Sequence, residues 1–272
     1  MYIDSHCHLN FPELAARLPD IFGKMTENRV SHALCVSVNL PEFPQVLALA
    51  EQYPRIYASV GVHPDYQDTP EPTVEELVAL ANHPRIVAIG ETGLDYHRLE
   101  GDLEWQRTRF RTHIRASRIT GKPLIIHTRC ASEDTIRLMR DEGADPAAGG
   151  AAGVMHCFTE SQEVADAALA LGFYISFSGI VTFKSAKALQ EVARTIPLER
   201  MLIETDSPYL APAPYRGKTN EPGLVRHVAE FIADLRGISV EEVACHTTGN
   251  FFTLFKVAGP DNETREEVPG TC

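Results

Sequence analysis

Two histidines one residue apart stand near the start of the chain, in Asp4-Ser5-His6-Cys7-His8. Side chains alternate faces along an extended strand, so His6 and His8 project to one side and can share a cation. Alone, that spacing equally suits two strand-end histidines bonded within the protein. Four further residues shift the balance: Glu91, His127, His156 and Asp206 each end a short apolar run. Imidazole nitrogen mixed with carboxylate oxygen suits Zn or Mn, whereas Mg prefers fewer histidines and more water. Three or four ligands saturate one ion, so a set of six implies two, with Glu91 as the bridging carboxylate. His6, His8 and Asp206 would flank one ion, and His127 and His156 would hold the other. Two divalent ions (Zn, Mn or Mg) are therefore the expected cofactors.

The elements that must position these residues are legible as β-branched runs at 2–6, 33–38, 56–62, 86–91, 124–127, 154–158, 174–177 and 201–206. Amphipathic stretches lie between them at 13–28, 42–53, 73–81, 102–120, 132–142, 161–171 and 185–193. Strict alternation predicts parallel strands with right-handed helical crossovers, and eight such units suit a (β/α)8 TIM barrel of the metallo-dependent hydrolase type. A doubly wound open sheet is the alternative. In the barrel, all strand C-termini open on one face, and that face gathers the ligand set. Closing helices are expected over 221–235 and 240–255, giving one barrel domain over 1–257 and a polar, disordered tail over 258–272. The Gly-Ala run 143–153 reads as a connection, because another strand and helix follow it.

The 272 residues are sufficient for one large core. A formal charge of −12, from 25 basic and 37 acidic residues, argues against a long DNA-wrapping surface. Cys7, Cys35, Cys130, Cys157, Cys245 and Cys272 form no CxxC pair and fit a reducing cytoplasm. No apolar run approaches a membrane span, and no leader pattern precedes the first strand, so a cytoplasmic protein without membrane contact is expected. With no long apolar stripe left over after the barrel helices pack, a monomer is expected.

Six motifs, in order along nearly the whole chain, carry a family resemblance: Asp4-Ser5-His6-Cys7-His8-Leu9, Gly61-Val62-His63-Pro64, Gly90-Glu91-Thr92-Gly93-Leu94-Asp95-Tyr96, His127-Thr128-Arg129, His156-Cys157-Phe158 and Glu204-Thr205-Asp206-Ser207-Pro208-Tyr209. The chain resembles the TatD family of metal-dependent deoxyribonucleases, most closely its YcfH-like branch. The resemblance implies a barrel hydrolase with the ligands above, acting on DNA phosphodiester bonds in characterised relatives. One departure is Cys130, where the family pattern leads us to expect an acidic residue.

The expected reaction is phosphodiester hydrolysis of DNA ends or short single strands by two-metal activation of water. Asp206 and Glu91 are the catalytic candidates, with Asp206 serving as both ligand and general base. His63 either donates a hydrogen bond to the phosphate or fixes the turn before Pro64. Arg129 is placed either as a phosphate clamp or in a surface ion pair, and Lys218 and Asn220 as phosphate contacts or solvated loop residues. Trp105, Phe110 and Ile114 read as a packing stripe, and Arg107, Arg109, Arg111, Arg115 and Arg118 as a solvated face of the same helix. Cys7 and Cys157 read as buried thiols. Two rivals stand beside the phosphodiesterase. One is an amidohydrolase of small cyclic amides, esters or dipeptides, which would want Lys rather than Glu at the end of the fourth strand. The other is a metal-binding interaction protein without catalysis.

Overall fold

The computed structural model describes residues 1–97 and 101–257, so the expected tail lies outside the described residues. Eight strands, β1 (Tyr2–Cys7), β2 (Val30–Cys35), β3 (Ile56–Val60), β4 (Ile86–Asp95), β5 (Leu124–Arg129), β6 (Gly153–Met155), β7 (Tyr174–Phe177) and β8 (Met201–Ile203), form one parallel sheet in sequence order. A parallel bridge between Cys7 and Ser207 joins its two edges. This is the expected TIM barrel, with the seam closed just beyond β8.

Helices alternate with the strands as α1 (Pro12–Ala15), α2 (Leu18–Glu27), α3 (Phe43–Gln52), α4 (Val74–Ala81), α5 (Glu104–Thr120), α6 (Ser132–Asp141), α7 (Gln162–Ala170), α8 (Lys187–Thr195), α9 (Val225–Arg236) and α10 (Val240–Phe255). The single helix expected over 13–28 is two, because Pro19 lacks the N–H and clashes with the preceding turn that a continuous helix would need. Pro19 sits instead in the first turn of α2, where both defects are harmless. Among the described residues, no helix is long and apolar enough to cross a membrane.

Alternation along the strands divides the apolar side chains into two layers. Ile3, Leu34, Tyr57, Val87, Ile125, Val154, Tyr174 and Leu202 fill the barrel, together with Phe251, Leu254 and Phe255 of α10. Their strand neighbours, such as Tyr2, Ile56, Leu124 and Met201, pack outward in the helix layer. The interior is thus plugged at the end opposite the strand C-termini, and the open face is left to polar residues.

Helix α5 departs from its expected character. Phe110 and Ile114 are fully buried and Trp105 is half-buried, as a packing stripe requires. Arg109, however, is buried rather than solvated. Its guanidinium binds both oxygens of Glu71, at 2.5 and 2.8 Å, and donates to the His63 carbonyl at 2.9 Å. The remaining arginines are engaged locally, Arg107 and Arg111 with Glu104, Arg115 with Glu142, and Arg118 with the Glu142 carbonyl. Nearby, the fully buried His113 accepts from Val62 N–H at 3.0 Å and donates from Nδ1 to the Arg109 carbonyl at 2.8 Å. α5 therefore holds the turn that carries His63.

Burial pushes the His113 imidazole down from 6.5 to about 4. A histidine with a depressed folded-state value contributes stability that is complete above about pH 6.5 and is lost as pH falls toward 4. Between about pH 7 and pH 4.5 this group alone should remove roughly 2–3 kcal/mol. Urea unfolding of His113→Gln is expected to show a loss smaller than wild type by about that amount. An unaltered loss would mean that His113 protonates without cost.

Candidate metal centre

Each proposed ligand reaches the open face by its own backbone device. Along β1, Ile3 and Ser5 face the interior, where the Ser5 hydroxyl lies 3.2 Å from Ser176 Oγ. Strict alternation would send His6 outward. Instead, the register against β2 slips by one residue between Asp4 and Cys7, and this bulge turns His6 and His8 inward. β4 also slips, between Ile89 and Thr92, around Glu91. Glu91 therefore lies mid-strand, not at the strand end expected from the sequence, and β4 continues to Asp95. A side chain at Gly93, which pairs with His127, would collide with the His127 carbonyl, so only glycine lets β4 and β5 close here. His127 and His156 keep the interior parity of Ile125 and Val154. Asp206 lies three residues past β8 in a left-handed conformation at φ 55°, which aspartate tolerates, and its N–H donates to the His6 carbonyl at 2.9 Å.

The side chains converge on the Glu91 carboxylate, and its two oxygens face different partners. Oε2 lies 3.3 Å from His6 Nε2 and 4.0 Å from His8 Nε2. On the same side, Asp206 Oδ1 lies 3.7 Å from His6 Nε2 and 3.4 Å from His8 Nε2. Oε1 lies 2.8 Å from His156 Nε2, 3.3 Å from His63 Nε2 and 3.4 Å from His127 Nδ1. His156 stands between the halves, its ring stacked on His6 at 3.9 Å. His156 also groups with His6 and Asp206 as a possible cation cage. His6, His8, Glu91 and His156 are buried, while His63, His127 and Asp206 are 14–19 % exposed and form the accessible side of the cluster.

Hydrogen bonds on the far side of each ring fix which nitrogen faces inward. His8 Nδ1 donates to the Val36 carbonyl at 3.1 Å, His156 Nδ1 to Glu204 Oε1 at 3.1 Å, and His127 Nε2 to Asp95 Oδ2 at 3.1 Å. When neutral, each of these rings therefore turns an inner lone pair toward the cluster, and when protonated an N–H. His63 is opposite in sense. Its Nδ1 accepts the Asp65 N–H at 3.0 Å, so the neutral ring carries its proton on the inward Nε2 and offers a donor where the others offer lone pairs. Burial opposes charge on Glu91, yet the imidazoles of His156, His63 and His6 and the bond with His127 hold its carboxyl well below the usual carboxylate range. Burial likewise opposes charge on His156, and Glu91 and Glu204 outweigh it, holding that ring well above the ordinary imidazole value.

The donor set fits divalent cations. His156 Nε2, 2.8 Å from a carboxylate oxygen, lacks the alignment of a hydrogen bond, and no other partner satisfies it. Buried lone pairs aimed at a shared ionised carboxylate are what a metal ion takes up, and protons compete with it for them. His6, His8, Glu91 and Asp206 could hold one ion, and Glu91, His127 and His156 a second.

The sequence expectations for the surrounding residues fare unevenly. His63 joins the cluster, and Arg129 is half-buried at the end of β5, where its charge helps to lower the Asp95 carboxyl. Lys218 is exposed on the loop after β8. Asn220 is fully buried, with both amide hydrogens donated to the Thr205 and Tyr209 carbonyls and its oxygen accepting Glu221 N–H. Those bonds give it a loop-fixing place instead of the expected substrate contact. Asp95 orients His127, and Tyr96 turns to Asp134 and Arg107. Cys130, at φ 54°, is exposed, with Sγ 4.0 Å from His97 Nδ1. Cys7 is fully buried as expected and Cys157 only partly, and desolvation pushes both thiols well above the ordinary value. Sequence reasoning gave no role to Asp4, which binds Thr205 through its backbone N–H at 2.8 Å and its hydroxyl at 2.5 Å, or to Glu204, which also accepts Cys157 N–H at 2.7 Å. Both lie inside quoted motifs, beside or two residues from a ligand, which was the available signal.

A parallel barrel with imidazoles and carboxylates gathered on the C-terminal face defines the class of metal-dependent barrel hydrolases. The family model described as TatD related DNase matches residues 3–256, and the chain belongs to the TatD family. It is 45% identical over 258 residues to the uncharacterized metal-dependent hydrolase YcfH of Escherichia coli K12, covering 94% of this chain and 96% of that protein. A more distant relative, 33% identical over 260 residues with 93% and 98% coverage, is the 3'-5' ssDNA/RNA exonuclease TatD of Salmonella typhimurium. The crystal structure of YjjV, a TatD homolog from Escherichia coli K12, superposes with a TM-score of 0.86 at 28% identity, covering 94% of this chain and 98% of that one.

Outer partners of metal-bound histidines typically control affinity 10- to 100-fold. Glu204→Gln, which keeps shape but weakens the bond to His156 Nδ1, is expected to lower Mn or Zn affinity by about that factor in calorimetric titration. Unchanged affinity would show that His156 needs no such support.

Proposed function

We propose that the chain hydrolyses phosphodiester bonds of DNA, at strand ends or in short single strands, using two divalent cations held on either side of Glu91. The observation that carries this reading is the division of labour between the Glu91 oxygens, Oε2 lying on the side of His6, His8 and Asp206 and Oε1 against His156, His63 and His127. Such ions, when bound, polarise the phosphoryl oxygens and lower the pKa of attacking water. A glutamate at this place in β4 also favours the phosphoester branch over an amidohydrolase bridged by a modified lysine. The exonuclease name of the Salmonella relative supports a nucleic-acid substrate, and the net charge of −12 fits a small footprint on it.

The residues divide the remaining work. Asp206 keeps its carboxyl below the ordinary range: burial opposes this, but the bond with His8 and the charges of His6 and His156 outweigh it. It is thereby ready to accept the proton of an attacking water on the accessible side. His63 donates from Nε2 to a non-bridging phosphate oxygen, and its orientation is set by Asp65 N–H and the Arg109 contact behind it. Arg129 and Lys218 supply positive charge at the rim of the mouth, at β5 and in the loop after β8.

End-labelled single-stranded and duplex DNA, incubated with protein stripped of metal and reloaded with Mg, Mn or Zn, tests the proposal. Cleavage is expected only with metal and at least about 100-fold slower in Asp206→Asn and Glu91→Gln. Intact DNA together with cleavage of an amide or ester panel would reassign the substrate class. His63→Asn separates donor from ligand: kcat/KM should fall roughly 100-fold while both ions remain bound. Loss of one ion in that variant would make His63 a ligand instead.

A further inference from the structure

Beyond the ligand cluster, one line of aromatic rings runs from the metal centre to the surface. The Phe11 ring stacks on His8 at 4.8 Å with an interplanar angle of 14°. Tyr209 meets Phe11 edge to face at 6.3 Å. Tyr209 follows Asp206 by three residues, its N–H donating to the Asp206 carbonyl at 3.0 Å, so its ring is tied to the ligand loop. At 54 % exposure it is one of three large hydrophobic side chains, with Met1 and Ile119, that the described residues leave open to solvent. An isolated exposed aromatic is ordinary, but this one walls a groove. The same groove is lined by Arg216, Lys218, Thr219, Phe183 and Glu13, among others. The Arg216 guanidinium lies 4.0 Å from the centroid of the Phe183 ring, and Lys218 Nζ lies 5.8 Å from that of Tyr215.

We propose that this groove is a subsite for the nucleotide next to the scissile phosphate, its base stacking on Tyr209 and its outer phosphate meeting Arg216 and Lys218. The inference rests on the phosphodiesterase reading and adds to it the side on which the strand leaves the metal centre. The chemistry of the groove selects the ligand. An aromatic face beside two cations suits a planar base joined to a phosphate. Stacking arginine on Phe183 holds its charge in place before the ligand arrives. Glu13, the acidic member of the wall, opposes a second phosphate nearby and can accept from a sugar hydroxyl or an exocyclic amine. A base inside a duplex keeps both faces covered by its neighbours, so the subsite favours an unpaired strand.

The test pairs binding with turnover. Tyr209→Trp adds to the native Trp105 on α5 a second indole, at the platform, and titrating this variant with oligothymidylate in Ca, to hold chemistry back, should quench its fluorescence more than that of wild type. Tyr209→Ala should weaken oligothymidylate binding by at least about fivefold. In Mn, Tyr209→Ala and Arg216→Ala should each lower the preference for an oligonucleotide over bis(4-nitrophenyl) phosphate, in kcat/KM, by a similar factor. Tyr209→Trp should retain that preference, separating stacking from a merely structural role. If wild type cleaves the oligonucleotide while Tyr209→Ala binds it equally well and Arg216→Ala keeps the preference, the subsite is wrong and the phosphodiesterase reading stands. If wild type binds oligothymidylate through Tyr209 but cleaves no DNA, the groove still takes a nucleotide, while the phosphodiesterase reading falls and with it the groove's place beside a scissile phosphate. No binding by wild type overturns the subsite outright.

Discussion

The ionised Glu91 carboxylate, buried at the centre of the barrel mouth, is the constraint on which the rest of the arrangement depends. Removing a charge from water is costly unless opposite charge and hydrogen bonds replace the lost solvation. Here the replacement comes from the imidazoles of His156, His63 and His6 and from the bond with His127, carried by four different strands or their following turns. The carboxylate is mid-strand, at a slip in the β4 register, and is held among strands whose close approach needs the glycines at 61, 90 and 93. Divalent cations and protons would satisfy the same cluster in different proportions, so metal bound here would displace protons.

Around this centre, an outer layer of polar residues decides what each ring can do. Val36, Asp95 and Glu204 take the outer hydrogens of His8, His127 and His156, so that the neutral rings offer lone pairs inside. Asp65 gives its N–H to His63 and reverses the sense of that ring. One backbone bond thus separates a donor from three acceptors of identical residue type. The barrel supplies rigidity from below, through the plug of Phe251, Leu254 and Phe255, while α5 braces the His63 turn from the side through Arg109 and His113.

Much of the fold was legible in sequence because barrel strands and helices announce themselves by period. The strand at 174–177 and the helix at 240–255 match those observed, and each expected ligand stands on the expected face. What stayed hidden depends on register and on contacts distant in sequence. The extra residue in β1 that turns His6 inward leaves no mark in a pattern of alternating residues, nor does the slip that moves Glu91 from a strand end to mid-strand. Arg109 looked like one of five arginines on a polar face, and only its pairing with Glu71 reveals it as buried. Asn220 carries the polarity of a binding residue, yet its amide is spent on the carbonyls of its own loop. Tautomers, which separate His63 from the ligand histidines, cannot be read from residue type at all.

The central claim, that Glu91 separates two cation positions, is tested most directly by anomalous diffraction from crystals of the Mn-loaded protein. Two peaks are predicted, one against Oε2 among His6, His8 and Asp206, the other against Oε1 with His127 and His156. A single peak, or a second one that does not touch Glu91, would contradict the account.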